Sequence, residues 1–268
     1  MSEQVEVLGI LGHPLSHSAS PDWHQARLDR LPRSYRYLCF DIESGDLAGA
    51  LKGLHRVGVK GLNVTVPYKE AVFELVEDVD EEASTFGAVN CLRWAANGYQ
   101  ATNTDALGFI DDLTVQGGRQ LSGARVLVVG CGGAGRTLAL ALARANAREV
   151  VLWNRTKTRL EAVAQEIEAH YPHVQVEPCF GEGSRNVDEL VDVVVLATTP
   201  LPSDSLDWLD PNCWSERAVL CDLNYYAPHP IRSRIAEAGR DYRNGWGMFE
   251  AQARRSWAFW FGHEPPAP

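Results

Sequence analysis

The chain has 268 residues, 45% of them apolar, with a formal charge of −10 and an isoelectric point of about 5.3. That length holds one or two globular domains, and an acidic chain with no Lys/Arg run excludes nucleic acid as an expected partner. No apolar stretch approaches the roughly 20 residues that span a bilayer, and the acidic start MSEQVEVLGILG runs into a strand pattern, not a signal peptide, so no membrane partner and a cytoplasmic location are expected.

In chain order, VEVLGILG, YRYLCFDI and GLNVTVP read as strands, with PDWHQARLDRL, DLAGALKGLHRV and KEAVFELV as the helices between them. A helix is expected to begin near Asp105. Beyond it come strand ARVLVVG, helix GGAGRTLALALARAN, strand REVVLWN, helix TKTRLEAVAQEIEAH and strands VDVVVLAT and AVLCDL. The aromatic-rich GMFEAQARRSWAFWFG closes the chain as a helix expected to pack back onto the first domain. This βαβ order predicts an α/β protein of parallel sheets with helices on both faces. The expected domains are 1–104, completed by 245–268, and 105–244. Six scattered cysteines form no CxxC pair and read as reduced thiols, and the histidines show no metal-ligand spacing, so no metal is expected.

The segment GCGGAG, Gly130, Gly132, Gly133, Ala134 and Gly135 among its residues, fits G-x-G-x-x-G between a strand and a helix. Gly130 allows the tight turn, Gly132 lets the backbone approach a pyrophosphate, and Gly135 lets helix and strand pack closely. The pyrophosphate would sit on the helix N-terminus. An NAD site places Asp or Glu at the end of the next strand to accept from the ribose. This chain has Asn154-Arg155-Thr156 there, with Arg159 one turn on. With no carboxylate to repel a 2′-phosphate and a guanidinium to bind it, NADP is the expected cofactor.

Four further places carry polar groups that need an explanation. Lys69 stands two residues past Pro67, where an apolar strand ends and a helix begins; a lone lysine there is ordinarily a solvated surface residue, and its other role is proton transfer at a sheet rim. Ser20 reads as an N-cap before Pro21, and with Ser18 it makes a hydroxyl pair fit for a carboxylate. Asn90 lies among apolar residues, and Asn103-Thr104-Asp105 reads as a helix cap. Gln252 is a polar amide in an apolar helix.

Together these segments resemble the shikimate dehydrogenase family over nearly the whole length. The resemblance rests on Gly12, Pro14, His17, Ser18, Ser20, Pro21 and His24, on NVTVPYK, GAVN, NTD, GCGGAG and NRT, and on GM…Q, in that order. It implies an N-terminal α/β substrate-binding domain, a C-terminal Rossmann NADP-binding domain and an active-site cleft between them. The implied reaction is NADP-dependent reduction of 3-dehydroshikimate to shikimate, a small-molecule substrate, in the route to aromatic amino acids. Lys69 and Asp105 would be the catalytic pair. Ser18, Ser20, Thr65, Asn90, Tyr225 and Gln252 would bind substrate, and Thr199 and Gly245 would join the glycine loop and Asn154 to Arg159 at the cofactor. A homodimer is compatible with the sequence. The family pattern is departed from at Ala101, Ala106, Pro202, Ser203, Ala227 and Pro230. A paralogue acting on quinate or an aminoshikimate, and an inactive ligand sensor, are the alternatives.

Overall fold

Strand and helix patterns resolve into two compact units, Met1–Asp105 with Gln252–Pro268, and Ala106–Ala251. The computed structural model describes residues 5–43, 45–181, 190–198, 206–226 and 229–268; Thr199, Pro202, Ser203 and Ala227 lie outside them.

The first unit runs β1 (Glu6–Gly12), α1 (Ser20–Leu28), β2 (Tyr35–Asp41), α2 (Leu47–Arg56), β3 (Gly61–Val64), α3 (Lys69–Leu75), β4 (Asp78–Val79), α4 (Glu81–Phe86), β5 (Cys91–Ala95) and β6 (Gly98–Thr102). Its six-stranded sheet has the order β2-β1-β3-β5-β6-β4. β1 lies parallel to both β2 and β3, reached through crossover helices α1 and α2. Asp46 caps α2 by accepting from the Gly49 N–H at 2.7 Å, and Leu51 on the same helix is buried with Leu62 and Val64 of β3.

The expected all-parallel arrangement needs correction here. β5 runs antiparallel to β3 and to β6. The two strands form a tight hairpin in which Ala95 pairs with Gly98, and Gly98 has a φ of +150°. Asn97-Gly98 between two apolar runs is the short-range signal for it. Helix–strand alternation alone passes over that signal.

The second unit continues with α5 (Asp105–Asp111), a π turn over Asp112–Gln116, β7 (Arg125–Val129), α6 (Gly133–Arg144), β8 (Glu149–Asn154), α7 (Lys157–His170), β9 (Gln175–Phe180), β10 (Val193–Leu196), β11 (Val219–Asp222), α8 (Arg232–Glu237), β12 (Asp241–Asn244) and α9 (Trp246–Phe261). Its sheet is parallel throughout, in the order β12-β11-β10-β7-β8-β9. Val126 to Val129, Val150 to Leu152 and Val193 to Leu196 are buried, the signature of strands covered on both faces. Connections leave in opposite directions from β7 and β10, which creates the crevice where doubly wound sheets bind ligands. Buried Asp112 is paired with Arg243, whose ordinary value it raises.

α9 is shared: Trp246–Ala251 count with the second unit and the remainder with the first. In the first unit Trp260 Nε1 donates to the Leu92 carbonyl at 2.9 Å and Arg93 donates to the Phe259 carbonyl at 2.9 Å. Gly61 is required beside Trp260, because a Cβ would meet the indole nitrogen at 2.6 Å. Of the six cysteines, Cys91, Cys131, Cys179 and Cys221 are buried and Cys39 and Cys213 exposed, all as free thiols.

His24 on α1 is fully buried, its ring stacked on Tyr37 at 4.7 Å and edge-on to Trp23 at 4.8 Å. Burial first, and the Arg27 charge second, lower its pKa from 6.5 to about 3, opposed by the Asn63 side chain. Between those values the unfolded chain takes up a proton that the folded chain refuses. The stability His24 leaves intact above pH 6.5 is therefore lost as pH falls toward 3. Urea melts of wild type and His24→Phe at about pH 7.5 and about pH 5 test this: wild type should lose about 2 kcal/mol more than the variant. An equal response of the two would assign the acid sensitivity elsewhere.

Candidate active site

The hairpin decides what meets at the carboxyl end of β3. β1 and β3 are parallel, so the loops that follow them, carrying Ser18 and Thr65, leave the sheet at the same end. Because β5 is antiparallel to β3, with Asn63 opposite Cys91, the residue before β5 lies at that end too: Asn90. β6 then returns antiparallel, with Thr102 opposite Cys91, and delivers Asn103, Thr104 and Asp105 to the same edge.

Lys69 is the first residue of α3. Its Nζ donates to Asp105 Oδ2 at 2.6 Å, with the two side chains 31% and 16% exposed. The other carboxylate oxygen, Oδ1, accepts from Asn90 Nδ2 at 2.8 Å. Asn90 Nδ2 also donates to Thr104 Oγ1 at 3.0 Å, and Asn90 Oδ1 accepts from the Thr104 N–H at 2.7 Å. Both amide hydrogens of Asn90 are therefore committed within the protein, and its Oδ1 also stands 3.3 Å from Thr104 Oγ1. Asn103 closes the turn: its Oδ1 accepts from the Asp105 N–H at 3.0 Å and its Nδ2 donates to the Ala88 carbonyl at 2.9 Å. Lys69 is thus tied to a carboxylate that is itself fixed, leaving two of its three N–H donors for a ligand. Gln252 on α9 approaches the same group, with Thr104 Oγ1 at 3.5 Å from its Oε1.

The serine segment differs from the sequence expectation in one respect. The N-cap of α1 is Ala19, with helical backbone and no side-chain cap bond, and Ser20 is the first helical residue. Ser18 Oγ accepts from the Ser20 N–H at 3.3 Å, taking the cap role expected of Ser20. The Ser20 hydroxyl turns inward, buried, onto the Tyr37 phenol. The helix starts early because Ala19 already has φ −80° and ψ −10°. The loop is braced by Asp41, which accepts from the Leu15 N–H at 3.1 Å and meets His13 Nδ1 at 2.6 Å. The His13 bond first, and the Leu15 bond second, hold the Asp41 carboxyl below its ordinary value.

In the second unit the glycine loop obeys steric rules. Gly130 has φ +106°, and a Cβ there would meet the Ala197 carbonyl at 2.8 Å. A Cβ on Gly135 would overlap the Gly130 carbonyl oxygen. Gly132 is the extended N-cap of α6, open above, and Gly133 and Ala134 are exposed on its first turn, whose N–H groups have no side-chain cap. Asn154 Oδ1 accepts from the Cys131 N–H at 3.2 Å and its Nδ2 donates to the Thr156 carbonyl at 3.0 Å, so the end of β8 is pinned to the loop. Arg155, Thr156 and Arg159 are exposed, and among the described residues no ion pair engages either arginine. This chemistry fits a dinucleotide with a further phosphate on its ribose. Gly245 is needed beside the Leu223 carbonyl, which a Cβ would strike. Tyr225 packs on Phe249 at 5.6 Å and its OH accepts from the Tyr226 OH at 3.0 Å. Thr199 lies outside the described residues.

Tyr37 and Ser256 lie outside every motif of the sequence, and Asn63 opens NVTVPYK with no role assigned to it. The Tyr37 OH donates to Asn63 Oδ1 at 2.8 Å, and Asn63 Nδ2 donates to Ser256 Oγ at 2.9 Å, all three buried. The signal for Asn63 was an amide in the otherwise apolar GLNV run; the sequence held none for its partners.

Residues 10–92 match the shikimate dehydrogenase substrate binding domain, and residues 112–200 the shikimate / quinate 5-dehydrogenase domain. The shikimate dehydrogenase (NADP(+)) of Methanopyrus kandleri is 34% identical, covering 98% of this chain and 92% of that protein. The crystal structure of the Thermus thermophilus shikimate 5-dehydrogenase with NADP(H) and shikimate superposes with a TM-score of 0.81, at 30% identity over 97% of this chain and 95% of that one. The Corynebacterium glutamicum quinate dehydrogenase with NAD gives 0.86, at 27% identity over 98% and 96%.

Two glycines give opposite expectations. Gly135→Ala forces a methyl into the Gly130 carbonyl and should cost about 3 kcal/mol, the upper range of overpacking. Gly53→Ala in α2, with nothing within 4 Å of the new methyl, should gain about 0.5–1 kcal/mol from lost glycine entropy. Denaturant melts check both, and a tolerated Gly135→Ala would refute the close packing of the loop.

Proposed function

We propose that this chain, which belongs to the shikimate dehydrogenase family, reversibly reduces 3-dehydroshikimate to shikimate with NADP as its cofactor. The observation that carries the reading is the Lys69–Asp105 contact of 2.6 Å, with Asn90 holding the far oxygen of the carboxylate.

When bound, the nicotinamide supplies or accepts the hydride. In the direction of reduction negative charge grows on the carbonyl oxygen. The Lys69 ammonium stabilises that charge and gives the oxygen a proton; in oxidation the lysine takes the proton back. Asp105 holds the ammonium in place by fixing one Lys69 hydrogen on Oδ2, which leaves the other two for a ligand. Lys69 is partly exposed, so water can replace the proton it gives.

Binding is shared among the remaining groups. The Ser18 hydroxyl, whose oxygen accepts from the Ser20 N–H, keeps its hydrogen for the substrate carboxylate. The Ser20 hydroxyl, turned inward onto Tyr37, leaves that carboxylate to Ser18, while Thr65 and Gln252 take ring hydroxyls. The first-turn N–H groups of α6 take the pyrophosphate, and Arg155 and Arg159, unopposed by an acid, take the 2′-phosphate.

Lys69→Ala should lower kcat by about 10²–10⁴, the usual worth of a positioned general acid, with melting temperature little changed. Steady-state kinetics with shikimate, quinate and aminoshikimate tests both reaction and substrate; a kcat within about threefold of wild type would remove Lys69 from the chemistry. Arg155→Ala should weaken NADP about ten- to hundredfold and leave NAD nearly unchanged, since one charged hydrogen bond contributes about 1.5–3 kcal/mol. Equal losses for both cofactors would unseat Arg155 from the phosphate.

A further inference from the structure

We propose that Ser256, on α9 and 0% exposed, is a positioning residue that fixes the Asp105 carboxylate through Thr104 and Asn90; this rests on the reading of Lys69 and Asp105 as the proton-transfer pair.

The argument is one of hydrogen-bond direction. The Tyr37 OH donates to Asn63 Oδ1 at 2.8 Å, which decides how the Asn63 amide is turned. Its Nδ2 therefore faces Ser256 Oγ at 2.9 Å and the Asn90 carbonyl at 3.4 Å. Ser256 is thereby an acceptor from Asn63, and its own hydrogen is left to donate. Thr104 Oγ1 stands 3.2 Å away. The other neighbour on that side, the Cys91 thiol, is kept protonated by burial, and thiol sulfur is a weak acceptor. Thr104 Oγ1 thus receives Ser256 on one lone pair and Asn90 Nδ2, at 3.0 Å, on the other. With Asn90 Oδ1 held by the Thr104 N–H, the remaining Asn90 hydrogen has one place to go, Asp105 Oδ1 at 2.8 Å. A hydroxyl 193 residues from Asn63 along the chain sets the orientation of the carboxylate that holds Lys69.

Ser256 contributes no group to a ligand's surface, so its loss should reach turnover and not affinity. Removing Oγ takes one acceptor from Asn63 Nδ2 and lets the Thr104 hydroxyl turn toward Asn90 Oδ1 at 3.3 Å or Gln252 Oε1 at 3.5 Å, which loosens the hold of Asn90 on Asp105. A serine that merely satisfies the core predicts a lower melting temperature with normal turnover per folded molecule.

The experiment uses the full chain with shikimate and NADP, comparing wild type, Ser256→Ala, Thr104→Val, Asp105→Asn and the Ser256→Ala/Asp105→Asn double variant. Ser256→Ala should lower kcat about tenfold and change KM less than about twofold, the scale of one disrupted buried hydrogen bond. On the Asp105→Asn background the same change should cost less than about twofold, because the two act as one unit. A kcat within about threefold of wild type, or an equal tenfold loss on both backgrounds, overturns the proposal. Thr104→Val breaks the relay from its other side and carries the same comparison if Ser256→Ala does not fold. If wild type turns over none of the substrates, the functional reading fails, and side-chain amide spectra of 15N-labelled protein decide the structural claim. Displaced Asn90 Nδ2 signals in Ser256→Ala would uphold the relay, and unchanged ones would end it.

Discussion

A carboxylate as sheltered as that of Asp105 is costly to desolvate unless every oxygen is engaged. Here the partners come from separate stretches of chain: Lys69 at the start of α3, Asn90 ahead of β5, and Asn103 on the backbone beside it. Nothing in a purely parallel sheet would gather them, since a parallel β5 would send Asn90 to the opposite edge. The antiparallel hairpin of β5 and β6 reverses the chain twice and puts the residues before and after it at one end. The mixed sheet of the first unit is therefore a requirement of the site, and the two-residue turn at Asn97 is what makes it short enough.

Behind the site lies a polar core in which each donor has a destination. Low local dielectric strengthens satisfied hydrogen bonds and raises the cost of an unmet one. Tyr37, Asn63, Ser256, Thr104 and Asn90 form such a series, and α9 returns to the first unit to supply its middle member. His24 is the contrasting case in the same layer: it stacks on Tyr37, and burial with the nearby Arg27 charge keeps it neutral.

The second unit works by exclusion instead. Gly130, Gly135 and Gly245 are glycines because carbonyl groups occupy the space a side chain would need. At Gly130 and Gly135 that absence of bulk leaves the start of α6 open, and Asn154 locks β8 to the loop beside the exposed Arg155 and Arg159.

The amino-acid sequence alone determined the α/β class, the βαβ order of the second unit, the glycine loop with its arginine neighbour, and Lys69 and Asp105 as residues to explain. These are legible because they follow from short-range rules: burial gives a strand or helix period, and close backbone approach forces glycine within a few residues. Tertiary structure decided the rest. It reversed β5, moved the cap of α1 from Ser20 to Ala19 and Ser18, committed both Asn90 hydrogens, and seated Ser256 between Asn63 and Thr104. A serine in an apolar helix carries no mark of which distant amide will face it. Hydrogen-bond partners are chosen by the packing of whole elements, and that choice exists only once the elements are in place.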